Sequence, residues 1–391
     1  MPEHLLGPKQ LAPLQDLLDS LRDHPAHGNR RLFLDQLLVL HLLAFFNPVV
    51  RSLRMLDDLS QTPAAAKLLD AERLPKSTIG DAHKLVDPDL LKPVLESLLG
   101  ALPPGVRLGG ELARLQRLIL ACDASYFQTL SDLSWALQSR KSNQEPGARV
   151  ALHVQLDVAA GVPRGVELCG SGHSESEVAA RHLSPGAIHL FDRGYVSFRL
   201  LDALLENGGD FVLRLTTQTR FAASATRPPG GADRQAGVLG DEDGRLQGCT
   251  KSDPPDRTLR LVTVANDADP QKPLRLLTSL RDLPAAQVAL LYRQRWQVEL
   301  FFRWLKTYGH FTRLLSHDRA GGAWGFYVSV IGVVLLALYE GRAPSKYDLA
   351  LLSVVACRGA TLQQILPILR RRHRERELAR IADARRRTRS K

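Results

Sequence analysis

Apolar side chains recur on two different periods along the 391-residue chain, and the change of period divides it. Up to about residue 110 the spacing is three to four residues. This predicts helices over LDQLLVLHLLAFF (Leu34–Phe46), SLRMLDDLSQ (Ser52–Gln61) and LLKPVLESLLGAL (Leu90–Leu102). Between them, LPKSTIGDAHKLVDPDLL predicts a short helix with Ser77 as cap, Asp81 in the first turn and Asp87-Pro88 as stop. Bearing Lys76, Thr78, His83 and Lys84 after a tight turn, it is either a recognition helix of helix-turn-helix type or an ordinary member of a helical bundle.

The pattern then shortens to that of strands. RLIL (Arg117–Leu120) runs through Ala121-Cys122 to Asp123, an apolar strand ending in a carboxylate. RVALHVQLDV (Arg149–Val158) alternates, AAGV turns, and PRGVELC (Pro163–Cys169) returns as a hairpin. A helix from Ser174 or Glu175 to Leu183 precedes a second buried strand, AIHLF (Ala187–Phe191), which ends in Asp192. A helix (Ser197–Glu206), a Gly208-Gly209 stop and a strand (Phe211–Leu215) follow. From Thr216 to about Leu283 the stretches TRPPGGADRQAG, DEDGRLQG and TKSDPPDR are turn-rich, yet LRLVTVA (Leu259–Ala265) and PLRLLTSL (Pro273–Leu280) are strand runs, so the segment is a β-rich insertion rather than a linker.

YRQRWQVELFFRWLK (Tyr292–Lys306) holds no Pro or Gly and predicts one helix of about four turns. Tyr292, Arg295, Glu299 and Lys306 share one stripe of it, Leu291, Val298, Phe302 and Leu305 a second, and Trp296, Leu300 and Trp304 the far side. A helix apolar nearly all round is a buried one, and its single polar line is either the wall of a site or an internal ion pair. Trp324–Leu338 predicts a buried helix, and SKYDLALLSVVACRGATLQQILPILRRR one or two helices broken near Gly359. The net charge of +11 is concentrated at the end: Arg370–Lys391 holds ten Arg and one Lys against three acids, which suits a polyanion and equally a solvated tail. Four scattered cysteines with no CxxC pair argue against a zinc knuckle or disulfide framework and for a reducing compartment. The first residues carry no apolar run that would suggest a signal peptide.

Asp123, Asp192 and Glu299 are the carboxylates that chemistry singles out. Attack on a phosphodiester is opposed by its own charge and by a poor leaving oxygen, and two hard divalent ions held by clustered oxygen ligands relieve both. The spacing Tyr-x2-Arg-x3-Glu-x6-Lys and the FDRGY turn (Phe191–Tyr195) resemble the insertion-sequence-four family of DDE transposases, with its YREK signature. LILACDASYF resembles that family's first Asp motif, although Ala124 stands where Gly is frequent. The order of elements is compatible with an RNase H-like mixed sheet, whose first and fourth strands lie side by side.

The resemblance implies an α/β fold: an RNase H-like catalytic core interrupted by a β-rich insertion, with an N-terminal helical domain and a C-terminal helical region. The expected limits are 1–110 (helical, DNA-binding), 111–215 (core, first part), 216–283 (insertion), 284–345 (core, second part) and 346–391 (helices and basic tail). It implies two Mg²⁺ ions, with Mn²⁺ as substitute, on Asp123, Asp192 and Glu299, and DNA contacts from Tyr292, Arg295, Lys306, Arg193 and Tyr195. It also implies cleavage and strand transfer at the inverted repeats of an insertion sequence. Expected partners are double-stranded DNA and a second copy in the synaptic complex, with no membrane, no nucleotide cofactor and a bacterial cytoplasmic, nucleoid-associated location. An inactive DNA-binding descendant and an RNase H-like nuclease without strand transfer are the alternatives.

Overall fold

A computed structural model describes residues 14–22, 32–47, 50, 52–101, 110–128, 149–159, 161–170, 174–247, 257–266, 269–308, 315–316, 318–340, 360 and 362–389. Two compact units make up the chain, one of residues 1–102 with 304–391 and the other of residues 103–303.

In the first unit, α1 (Gln15–Arg22), α2 (Leu34–Phe46), α3 (Leu53–Ser60), α4 (Pro63–Leu69), α5 (Lys76–Leu85) and α6 (Leu91–Ala101) follow one another. α2 has the bounds its periodicity predicts, and it is buried along its whole length, including Asp35, Gln36 and His41. α5 departs from expectation in its start and in one of its faces. Pro75, not Ser77, occupies the cap position and makes no side-chain cap bond, because proline already sets the extended backbone that a helix entry needs. His83, grouped above with the exposed recognition residues, is buried and pairs with His41 across 2.8 Å. Lys76, Ser77, Asp81 and Lys84 remain exposed.

The second unit is built on a nine-stranded sheet of order β3-β2-β1-β4-β5-β9-β8-β7-β6. Its strands are β1 (Ile119–Gln128), β2 (Arg149–Asp157), β3 (Val162–Gly170), β4 (Ile188–Phe191), β5 (Asp210–Arg214), β6 (Phe221–Thr226), β7 (Val238–Leu246), β8 (Leu259–Val264) and β9 (Leu274–Thr278). β2 and β3 form the expected antiparallel hairpin, and β1 lies parallel to β4 as the mixed sheet requires. The fold is therefore of the RNase H-like mixed α/β class. The insertion does not stand apart, for β9 pairs with β5 and carries β8, β7 and β6 outward in the same sheet. Within it, GADRQ forms the short helix α9 (Gly231–Gln235) and DEDGRL the end of β7, both in stretches that read as turns. Buried ion pairing explains the second case: Asp241 takes a two-pronged pair from Arg260 of β8 at 2.7 Å, and Asp243 pairs with Arg227 and Arg281.

Helices α7 (Glu175–Arg181) and α8 (Phe198–Glu206) begin after Ser174 and Ser197. On their face of the sheet Leu120, Cys122, Phe191, Phe211 and Leu213 meet Ala179, Leu201 and Leu204 in one buried cluster. Strand alternation turns Ile119, Ala121, Asp123, Ile188, Leu190 and Val212 to the opposite face. α10 (Ala285–Gln294) packs across β4, β5, β7 and β8. Asp233 of the insertion accepts a bond from the Ala286 N–H at 2.9 Å and so caps its first turn.

The predicted single helix over 292–306 begins earlier and is broken once, at Arg295, between α10 and α11 (Trp296–Tyr308). There Arg295 N–H bonds to Tyr292 O and Val298 N–H to Arg295 O, three-residue steps that tighten the turn. The predicted apolar stripe is buried at Leu291, Val298, Phe302 and Leu305, but Trp296 and Leu300 are 49% and 40% exposed, so burial on all sides does not hold.

From residue 304 the chain belongs to the same compact unit as the N-terminal helices. α12 (Arg319–Glu340) packs on α2, α5 and α6. It is long and apolar enough to cross a membrane by length and composition, and 83% of its apolar window is buried in the protein. Gly332 lets it approach α2, since a Cβ there would stand 2.5 Å from the Phe45 ring. The basic segment is the helix α13 (Leu362–Arg389), which holds Pro367. The expected break near Gly359 lies outside the described residues.

Candidate active site

Register places the first two carboxylates. The last β1–β4 pair is Ala121 opposite Leu190, and Asp123 and Asp192 each lie two residues further on. Parallel neighbours carry equivalent positions side by side, so the two carboxyl groups leave the sheet at the same level. Asp123 does not end its strand, as the sequence suggested. β1 continues to Gln128 on its pairing with β2, while β4 stops at Phe191. The site opens where β4 gives out, and Asp192 leads into a single 3-10 turn, Arg193–Tyr195.

The α10–α11 break supplies the rest. Arg295, only 11% exposed in its side chain, places its guanidinium 2.5 Å from Glu299 and 3.7 Å from Asp123. Tyr292 donates its hydroxyl to Asp192 at 3.1 Å, and Arg214, at the end of β5, stands 3.6 Å from the same carboxylate. Asp123 also accepts from the Ala124 N–H at 2.8 Å. Asp123, Asp192 and Glu299, from two strands and a helix, are thus joined through the cation and hydroxyl of one helix turn.

Burial dominates the electrostatics. It pushes the Asp123 carboxyl up to about 6, with the charges of Glu175 and Glu299 adding to the rise and Arg295 and the Ala124 N–H opposing it. Burial also raises the Glu175 carboxyl, and Asp192 adds to that rise. The Tyr292 hydroxyl is raised by burial and by Asp192, so it stays a proton donor. Carboxyls raised by burial, with neighbouring acids adding to the rise, mark a place where added positive charge is favoured.

The other expected site residues divide. Arg193 is exposed, and Lys306 lies in the last turn of α11. Tyr195 is 2% exposed and packs on Phe191 at 5.1 Å between ring centres, so it is a core residue and not the DNA contact expected of it. An aromatic residue ending a tight turn over an apolar face gains more from burial than from solvent. Two neighbours were not singled out in the sequence. Arg214 is the one cation in the strand DFVLR and Glu175 opens α7. A charged residue in an otherwise apolar buried strand was the signal for the first; an acid in a helix's first turn is too common to have signalled the second.

Oxygen donors alone carry the negative charge here, which fits hard divalent ions. Among the described residues no three His, Cys, Asp or Glu side chains stand close enough to hold one ion. The Arg295 guanidinium fills the space between Asp123 and Glu299, and that space is a cation's place by its charge.

The chain is similar to known transposases. The chain is 26% identical over 189 residues to protein y4zB of Sinorhizobium fredii, named as a transposase, a match covering 48% of this chain and 52% of that one. It is 26% identical over 207 residues to a protein of Geobacillus stearothermophilus named as the transposase of insertion sequence element IS5377, covering 49% and 50%. The chain thus matches about half the length of these curated relatives. Among solved structures, a piggyBac transposase synaptic complex with hairpin DNA aligns over 90% of this chain and 78% of that one, at 12% identity and a TM-score of 0.43. The family described as transposase DDE domain matches residues 114–325, more than half of the chain and the whole stretch from Asp123 to Glu299, and the protein belongs to that family.

Proposed function

We propose that the protein is a DNA transposase of an insertion sequence, of the insertion-sequence-four type, that cuts at the ends of its element and joins them to target DNA. The observation that carries this is the shared guanidinium: Arg295 binds both Asp123 and Glu299, while Asp192 lies in register with Asp123. A site with this charge and these donors suits a pair of divalent ions.

In this reading Asp123, Asp192 and Glu299 hold two Mg²⁺ or Mn²⁺ ions. When bound, such ions activate the attacking oxygen and stabilise the leaving one at the scissile phosphate. Water attacks phosphorus first and the 3′ oxygen leaves as a hydroxyl; that hydroxyl then attacks a target phosphate, and the target's own 3′ oxygen leaves. The number of phosphodiester bonds is conserved in the second step, so no nucleotide cofactor is needed.

The chain's own groups do the positioning. Arg295, held by Glu299, would bind a DNA phosphate at the site. Tyr292 holds the Asp192 carboxylate through its hydroxyl, and Arg193 and Lys306 bind the DNA backbone. The exposed face of α5 and the basic α13 add sequence-independent affinity for DNA, and a dimer brings two ends together.

The test is Mg²⁺-dependent nicking of duplexes carrying the DNA that flanks the coding region. Asp192→Asn and Glu299→Gln should each remove nicking and joining while gel-shift binding of the same duplex is retained. Nicking by either variant at near the unaltered rate would reject the triad. Nicking without any joined product would replace the transposase by a nuclease.

A further inference from the structure

Glu175 stands beside the carboxylates and has no part in the triad. Glu299 lies on α11 and is linked to Asp123 through Arg295. Glu175 comes from α7, which packs with α8 on one face of the sheet. Its carboxylate is directed away from its own helix, because Oε1 accepts from the Tyr126 hydroxyl of β1 at 3.2 Å. Its charge acts on Asp123, and that of Asp192 acts on it. Helix capping therefore does not account for its orientation: Ser174 holds the cap position, and the Glu175 side chain is bonded across to the strand that bears Asp123.

Gly194 supplies an independent observation. A Cβ on Gly194 would stand 3.1 Å from Glu175 Oε2, so any side chain there would push the carboxylate aside by a few tenths of an ångström. The glycine of Asp-Arg-Gly-Tyr thus leaves room for an acid from a distant helix next to Asp192. Its backbone angle is not left-handed, so space and not conformation is the reason for glycine there.

We propose that Glu175 is a fourth carboxylate of the cation site, binding the ion shared with Asp192, directly or through one of its waters. This rests on the reading of Asp123, Asp192 and Glu299 as cation ligands.

The test is Mn²⁺ binding to the full-length protein without DNA, followed by the loss of the free-ion electron paramagnetic resonance signal, with thermal melting alongside. Glu175→Gln should weaken the tighter Mn²⁺ site about tenfold, within the range for groups that support metal ligands. Gly194→Ala, which only displaces the carboxylate, should weaken it roughly threefold, and Tyr126→Phe less than twofold. Asp192→Asn serves as the reference and should cost more than any of these. If Asp192→Asn weakens binding and Glu175→Gln does not, Glu175 has no place at the site and the triad stands. If Asp192→Asn leaves binding unchanged, the triad itself falls. If Tyr126→Phe costs as much as Glu175→Gln, the acid serves only to fix Tyr126 and the proposal is overturned. Should Glu175→Gln fail to fold, Gly194→Ala decides: unchanged Mn²⁺ affinity in a folded Gly194→Ala protein refutes the fourth ligand.

Discussion

Both units bury titratable groups, and burial leaves them in different electrostatic situations. In the helical unit His41 and His83 face each other with ring centres 4.9 Å apart, one Nε2 donating to the other. Burial holds both well below the usual imidazole range, His83 at about 4, so the pair is neutral. In the sheet unit burial lifts Asp123 to about 6, with nearby acids adding to the rise. The two histidine Nε2 atoms satisfy each other without any net charge, although His83 Nδ1 is buried without a hydrogen-bond partner among the described residues. The carboxylates are only partly offset by Arg295 and Arg214, and added positive charge would favour their ionised form. Burial alone does not mark a functional site; burial of several like charges close together is the stronger sign.

The largest effect expected from this contrast is on the carboxylates. Asp123→Asn should lower nicking about a thousandfold, since ion binding supplies several kcal/mol of charge stabilisation and each 1.36 kcal/mol is tenfold. The same variant should raise apo stability by about 1–3 kcal/mol in denaturant titration, because it removes a buried, repelled carboxylate. Lower stability with full nicking would end the comparison. His83→Ala should do the reverse. It strands His41 Nε2 in an apolar interior and should cost about 2–4 kcal/mol of stability, with Mn²⁺ affinity unchanged.

Packing in the helical unit offers a smaller effect. Gly332→Ala should destabilise by about 1–3 kcal/mol, because the Phe45 ring occupies the site of the new methyl and the helix-propensity gain of about 1 kcal/mol does not offset it.

Acid should divide the units most finely. His83 has its folded value lowered from 6.5, so its stabilisation is complete above 6.5 and is lost as pH falls toward 4. Asp123 has its folded value raised from 3.8, so its contribution is most favourable at low pH and is lost as pH rises through about 6. Hydrogen exchange at pH 5 against pH 7, in the absence of divalent ions, should show α2 and α5 less protected and β1 and β4 more protected by about 1–2 kcal/mol. Changes of the same sign in both units would remove the distinction. Cation affinity should fall below pH 6 by up to tenfold per unit as Asp123 takes up its proton.

Much of this was legible along the chain. Local periodicity fixed α2, α6, α8, the β2–β3 hairpin and β4, because each element's apolar face is written in its own residues. The motif FDRGY and the spacing from Tyr292 to Glu299 pointed to the residues that now lie together. Less legible were β7 and α9, where acids and glycines imitate turns but ion pairs with Arg260, Arg227 and Arg281 sustain a strand.

What the chain determined by itself is the identity and order of its elements and the chemistry of the carboxylates each one carries, since propensity and period act over a few residues. What only the tertiary structure decided is which charges meet. The parallel register of β1 and β4 levels Asp123 with Asp192, the break at Arg295 turns one guanidinium toward two acids, and the gap at Gly194 admits Glu175. Apart from the Arg295–Glu299 pair, which lies four residues apart on the helix, these bring together residues from 19 to more than a hundred positions apart. Their energies depend on distance and burial in space, and neither is encoded in any local stretch.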